Sequence, residues 1–454
     1  MSVAYGIECA LSSNLAILKG MDADAIVIGA GAAGLAAALD LARGSLRVVL
    51  LEARERIGGR VCSNVVTGTS ESADLGAEFV HGPAKETMAL LREAGITTAP
   101  TGDEGWFYQE GELRQEERDF TEAGGVFDAA RSLPDDQTVD EFLRRFTEDT
   151  GRLADARAAR AFVEGFDAAD PAIASARAIA EELHSGVDAT SARPLGGYRP
   201  MFELLEKKCL AAGVELRKPA LARGISWRRG DVSVALDGPA AVGRALRARL
   251  AVVTLPVSLL RETAESGGAV RFDPPLSPEK RDALAHLQMG QVVKVVLAFR
   301  SPFWERLRDG RYRDAAFFRR DDSPFAAYWT QLPRRSRLVT AWAGGPKATA
   351  LGGESEETLI DRAAAGFGAL FGDEDLARSE LAGGVVHDWD RDPFARGAYS
   401  YVTIDGGNAR AIFGEPLEHT LFFAGEATST NGQGGTVNGA LESGQRCARE
   451  ALAT

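Results

Sequence analysis

Ala25-Ile26-Val27-Ile28-Gly29-Ala30-Gly31-Ala32-Ala33-Gly34 is the stretch from which the fold of this chain is read. Four consecutive apolar residues predict a buried strand, and it runs directly into glycines spaced GxGxxG, followed by the helical run Leu35 to Ala42. Each glycine has a separate task. Gly29 permits the tight turn, Gly31 lets a pyrophosphate approach the backbone, and Gly34 allows close packing of the helix, whose N-terminus faces the phosphate charge. A second strand, Arg47 to Leu51, ends in Glu52, 18 residues past Gly34, where a carboxylate can accept hydrogen bonds from ribose hydroxyls and would repel a 2'-phosphate. Strand, turn, helix, strand and acid in this order predict dinucleotide binding, with Ala30 and Ala33 completing the turn. The pattern does not separate NAD from FAD.

Working outward, 454 residues with 45% hydrophobic content can bury large cores and suggest two or three domains. A formal charge of -13 argues against nucleic acid as the main partner and agrees with a cationic small substrate. The arginines between Arg306 and Arg320 alternate with Glu305, Asp309 and Asp314, which reads as a solvated mixed-charge surface. Cys9, Cys62, Cys209 and Cys447 have neither paired nor metal-ligand spacing. Reduced thiols in a cytoplasmic setting, and no metal, are therefore expected. The apolar run Ala25 to Leu39 is short for a membrane span and glycine-interrupted, and residues 1–20 lack the basic start and unbroken apolar centre of a secretion signal. They read as an N-terminal extension, and no membrane anchor is expected.

Four patterned segments lie far apart: 24–60, the short β segments of 214–256 ending in Val252-Val253-Thr254, the apolar strand 291–299, and the strand, glycine loop and helix of 421–449. Residues 112–193 look mainly helical. If the first and last segments share one ligand, the cofactor domain is discontinuous. Linkers are expected near Pro83, Pro194 to Gly197, Asp273 to Pro275, and Asp392 to Gly397.

Directly after Glu52 comes Ala53-Arg54-Glu55-Arg56-Ile57-Gly58-Gly59-Arg60, in which glycines expose backbone N–H groups and Arg60 adds a forked donor beside a second stretch of pyrophosphate. Here the sequence resembles the flavin-containing amine oxidase superfamily, which includes monoamine oxidases, polyamine oxidases, histone lysine demethylases and L-amino acid oxidases. The likeness runs from about residue 24 to residue 449. It implies an α/β and α+β fold: a discontinuous Rossmann-like FAD-binding domain (21–84, 194–272 and 395–454) and an inserted substrate-binding domain of mixed sheet and helices (85–193 and 273–394).

The resemblance also assigns residues. Gly76 and Ala77, in Asp74-Leu75-Gly76-Ala77-Glu78-Phe79-Val80-His81-Gly82, match the segment along the flavin ring, with Glu78 beside them and Phe79 and His81 toward the substrate. Gly425 and Glu426 match the strand end that brings an acid to the ribityl or phosphate region. Gly435, Thr436 and Val437 open the last helix, whose N-terminal amides can stabilise charge on the reduced flavin. Pro256 and Trp389 join the implied cofactor contacts, with Ala53, Arg54 and Gly59.

Lys294, inside Gln291-Val292-Val293-Lys294-Val295-Val296-Leu297-Ala298-Phe299, is costly to bury without partners or a lowered pKa, which makes it a functional candidate on physical grounds; a strand with one wet face is the alternative. The resemblance implies that it reaches flavin N5 through a water and assists reoxidation. Tyr399 is implied to flank the amine, where an aromatic face attracts it. Two departures stand out: Ala398 occupies the position of the covalently linked cysteine of monoamine oxidases, so FAD is expected to bind noncovalently, and Thr436 replaces their second cage tyrosine. Both resemble the polyamine oxidase and lysine demethylase branch, with the motifs nearest the polyamine oxidase-like members, which implies a small amine and O2 as substrates of a monomer or homodimer. Glu78, Glu164, Asp167, Asp170, Glu181 and Glu182 are available for remote ammonium groups. Competing readings are an L-amino acid oxidase, which needs an arginine for the carboxylate, a desaturase-type flavoenzyme, and a non-catalytic flavin-binding regulatory protein.

Overall fold

The computed structural model describes residues 20–102, 104–115, 120–147, 152–187, 190–237, 245–261 and 268–454. The expected extension, residues 1–20, and Cys9 lie outside them apart from Gly20. A five-stranded, all-parallel sheet places Glu215–Arg217, Val48–Leu51, Ala25–Ile28, Leu250–Val253 and Leu421–Phe423 side by side in that order. Every residue of the last four is buried, as parallel strands covered on both faces require. The first and last patterned segments of the sequence do share one sheet, so the Rossmann-like unit is discontinuous.

One face carries the helices Ala32–Arg43 and Val437–Leu452. They approach closely because Gly444 has no Cβ, which would fall 2.2 Å from the Ala33 carbonyl oxygen. The other face packs against a four-stranded sheet containing Leu221–Arg228 and Asp231–Asp237.

A second, seven-stranded sheet holds Val292–Phe299 between Leu338–Gly344 and Leu381–Asp388, antiparallel to both. All eight of its residues are buried, so the alternative of a wet face fails. Val293, Val295, Leu297 and Phe299 pack with Phe367 of helix Glu356–Ala369, while Val292, Lys294, Val296 and Ala298 share the opposite face.

The expected helical region holds between 139 and 184, where Val139–Thr147, Leu153–Gly165 and Ala176–His184 enclose their own core. Its ends differ. Glu112–Gln115 joins the seven-stranded sheet, and Ser191–Pro194 pairs between Val80–His81 and Thr98–Pro100. Both are short and mixed in character, so neither shows a strand period in the sequence. Among the described residues no helix is long and apolar enough to cross a membrane.

Candidate active site

One cavity of about 1350 Å³ runs from the glycine turn to the seven-stranded sheet. That exceeds the roughly 300–1,000 Å³ of a single ligand pocket, leaving room for a cofactor and a substrate together. Lys294, Tyr399, Thr436, His81 and Phe79 line it, as do Gly29, Gly31, Ala33, Glu52, Ala53, Arg54, Gly59, Arg60, Gly76, Ala77, Glu78, Pro256, Trp389, Gly425, Glu426, Gly435 and Val437. Ala30 and Gly34 do not. The Ala30 amide donates to Glu52 Oε2 at 2.9 Å, and a Cβ on Gly34 would fall 1.8 Å from the Gly29 carbonyl oxygen. These two build the turn from behind.

Gly31 behaves differently. A Cβ there would meet no heavy atom within 4 Å, on a residue that lines the cavity at the N-terminus of helix Ala32–Arg43. Open space at a helix N-terminus fits a phosphate group. Glu52, expected for ribose, also braces the loop, since its Oε1 accepts the Arg54 amide at 2.9 Å. At Gly76 a Cβ would fall 1.8 Å from the Arg60 carbonyl oxygen. Its constraint comes from backbone packing as well as from any flat ligand.

Glu426 is the hub of a buried network. Its carboxylate accepts from Arg60 Nη1 (2.8 Å), Ser400 Oγ (2.6 Å) and the Gly435 amide (3.0 Å). Burial opposes ionisation, but the Arg60 and Arg410 charges outweigh it and hold the carboxyl below its usual range. It therefore fixes Arg60 and the Gly435 loop. Thr436 is likewise occupied: its hydroxyl caps the last helix, accepting from the Gly439 amide and donating to the Gln433 carbonyl, each at 2.9 Å. Trp389 donates to the Leu75 carbonyl at 3.0 Å.

Lys294 has partners. Its Nζ donates to Glu78 Oε2 at 2.6 Å and to the Gly76 carbonyl at 3.3 Å. Glu78 Oε1 accepts Trp329 Nε1 at 3.0 Å and lies 3.3 Å from Arg193 Nη2. Burial opposes the Glu78 charge, yet Lys294 and Arg193 overcome it and keep the carboxyl ionised. Both Glu78 oxygens are therefore engaged within the protein, Oε2 by Lys294 and Oε1 by Trp329. Of the other acids, Glu164, Asp167 and Glu182 line the cavity, whereas Asp170 and Glu181 do not.

Toward the seven-stranded sheet the lining is aromatic: Phe79, His81, Phe166, Phe317, Trp329, Trp342 and Tyr399. The Tyr399 hydroxyl donates to the Phe166 carbonyl at 2.6 Å, which fixes its ring. Burial, with the negative charges of Asp167 and Glu182, raises its pKa and keeps it neutral. His81 sits edge-on to Phe166 at 5.0 Å, and burial lowers its pKa to about 4. Arg193, Trp329, Trp342 and Phe166 escaped the sequence reading. Arg193, alone among arginines around it in a three-stranded pairing, carried no local signal.

Cavity and parallel sheet together are those of a dinucleotide-binding protein with an attached ligand chamber. Residues 32–452 match the model of the flavin containing amine oxidoreductase family, and the chain belongs to that family. It is 27% identical over 447 residues to human lysine-specific histone demethylase 2, covering 93% of this chain and 52% of that protein. It is 26% identical over 478 residues to polyamine oxidase 2 of Arabidopsis thaliana, covering 95% of this chain and 89% of that one. The chain spans about half the length of the histone demethylases it matches. Among solved structures, a putrescine oxidase bound to putrescine superposes with a TM-score of 0.77 at 21% identity (95% and 99% of the two chains). Cyclohexylamine oxidase from Brevibacterium oxydans gives 0.75 at 20%, with the same coverage.

Proposed function

We propose that this protein is an FAD-dependent amine oxidase, converting a primary or secondary amine, a polyamine or a monoamine, to an imine that water hydrolyses to an aldehyde and a shorter amine or ammonia. The observation that carries the reading is the single cavity joining the Gly31 cradle to the wall of Lys294, Tyr399 and His81. Residues 21–84, 194–272 and 395–454 would hold the cofactor, and 85–193 with 273–394 the substrate. When bound, the flavin supplies the acceptor for a hydride from the amine α-carbon, and oxygen then takes two electrons and two protons to leave as hydrogen peroxide.

The chain's own residues supply binding, orientation and charge. Gly31 and the first helix N-terminus hold phosphate, Arg60 adds a fixed guanidinium, and the N-terminal turn of Val437–Leu452 offers positive dipole to developing negative charge. Ala398 lines the cavity, and none of the described cysteines does, which supports noncovalent attachment. Tyr399, fixed by Phe166, orients the amine, and the carboxylates of Asp167 and Glu182 near it favour a cation on its way in. His81, neutral above about pH 4, adds no opposing charge. The amine must shed its proton before its α-carbon reacts, so activity should rise from neutral toward alkaline pH.

Oxygen-uptake assays with spermidine, spermine, putrescine, aromatic amines and L-amino acids test this reading. It predicts uptake with one amine class and equal yields of aldehyde and peroxide. Oxygen uptake without matching aldehyde, or none with any amine, counts against it.

A further inference from the structure

We infer that Glu78 is a positioning residue for Lys294, and that Glu78, Arg193, Lys294 and Asp74 form a buried charge cluster setting the electrostatic potential on the cofactor wall of the cavity. This rests on the amine oxidase reading only in taking that wall to face the flavin. Lys294 and Glu78 are 1% and 7% exposed, and Nζ is held between Glu78 Oε2 at 2.6 Å and the Gly76 carbonyl at 3.3 Å. Glu78 is itself held by Trp329 and by Arg193, whose other bonds go to the Thr330 carbonyl and Gln331, each at 2.9 Å. The Lys294 ammonium lies 5.4 Å from the Trp329 ring. The cluster therefore joins the Asp74 to Glu78 segment, the seven-stranded sheet and the strand Ser191–Pro194 in one fixed arrangement.

Asp74 completes it. Its carboxylate accepts the Ser63 hydroxyl, and Gly197 approaches so closely that a Cβ would fall 2.8 Å from Asp74 Oδ2. The charged groups acting on it are Glu78, Lys294 and Arg193, and Tyr198 beside Gly197 is kept neutral by burial and by Asp74. Burial, opposed by Ser63, raises the Asp74 pKa to about 6. With both acids ionised the cluster is neutral; with Asp74 protonated it carries one positive charge.

The test is the two-electron midpoint potential of the flavin-loaded protein from pH 5 to 8, in wild type and in Glu78→Gln, Asp74→Asn and Lys294→Met. Glu78→Gln leaves a positive excess and should raise the potential, favouring reduction about tenfold, or about 30 mV. Lys294→Met leaves a negative excess and should lower it. Asp74→Asn should match wild type at pH 5 and exceed it at pH 8. A purely structural salt bridge would give no opposed shifts, and Glu78→Gln and Lys294→Met moving together, or not moving, overturns the inference. If Glu78→Gln does not fold, the pH-dependent gap of Asp74→Asn decides the matter, its absence counting against the cluster. A protein that takes up no flavin fails the amine oxidase reading instead, and its lack of colour distinguishes that case.

Discussion

Substitution of Gly31 by alanine should separate cofactor affinity from fold stability, two properties that a glycine-turn mutation usually damages together. The Gly31 backbone, at φ −79° and ψ −171°, is open to any residue, and its Cβ would touch nothing within 4 Å. Alanine there restricts the unfolded chain and should stabilise the apoprotein by about 0.4–1 kcal/mol. The same methyl group occupies the phosphate cradle. Losing one charge-assisted hydrogen bond of about 1.5–3 kcal/mol would weaken flavin binding roughly 10- to 150-fold. Gly34→Ala is the control with the opposite sign, since its Cβ would sit 1.8 Å from the Gly29 carbonyl oxygen. It should destabilise the apoprotein by about 3 kcal/mol, the upper end of overpacking costs. Thermal unfolding without flavin and fluorescence titration with FAD read the two quantities separately. A Gly31→Ala apoprotein that melts well below wild type, or one that binds FAD with wild-type affinity, would refute the reasoning.

Three further outcomes are expected. Lys294→Met should slow the reaction of the reduced protein with oxygen by roughly a hundredfold, the lower end of what a positioned proton-transfer group supplies, while anaerobic reduction by amine falls by no more than about tenfold, in line with its lowered potential; stopped-flow resolution of the two half-reactions checks this. His81, with its folded pKa lowered to about 4, supports stability fully above its unfolded pKa of 6.5 and loses that support as pH falls toward 4. His81→Phe should therefore narrow the difference in melting between pH 7 and pH 4.5, by at most about 3 kcal/mol. Asp74 has the opposite sense: its raised pKa favours folding below pH 3.8, and that advantage is lost as pH rises through about 6. Asp74→Asn should gain up to about 3 kcal/mol on wild type between pH 4 and pH 8, measured by denaturant unfolding of the apoprotein.

The parts of this account that the sequence made legible are local ones. Ala25–Ile28, the glycine turn and Val48–Leu51 declare themselves because a buried parallel strand must be apolar on both faces and a tight turn must be glycine. Lys294 stood out because one cation among seven apolar residues of a strand demands an explanation. What answers that demand was not legible, since Glu78 lies 216 residues from Lys294 and 251 from Trp329. Arg193 reaches Glu78 only because Ser191–Pro194 pairs with Val80–His81, a contact with no periodic signature. Thr436 shows a different limit. Its place at the cavity could be inferred from resemblance, but its hydroxyl serves a helix cap, and only the local backbone geometry reveals that.

The most direct test of the central claim is the visible spectrum of the purified protein before and after anaerobic addition of amines. An FAD-dependent amine oxidase should show a flavin spectrum, release of the flavin on denaturation, bleaching by one amine class, and peroxide on readmission of air. A protein that stays colourless after incubation with FAD would contradict it, and a yellow protein bleached by no amine would leave the cofactor site standing while removing the amine oxidase assignment.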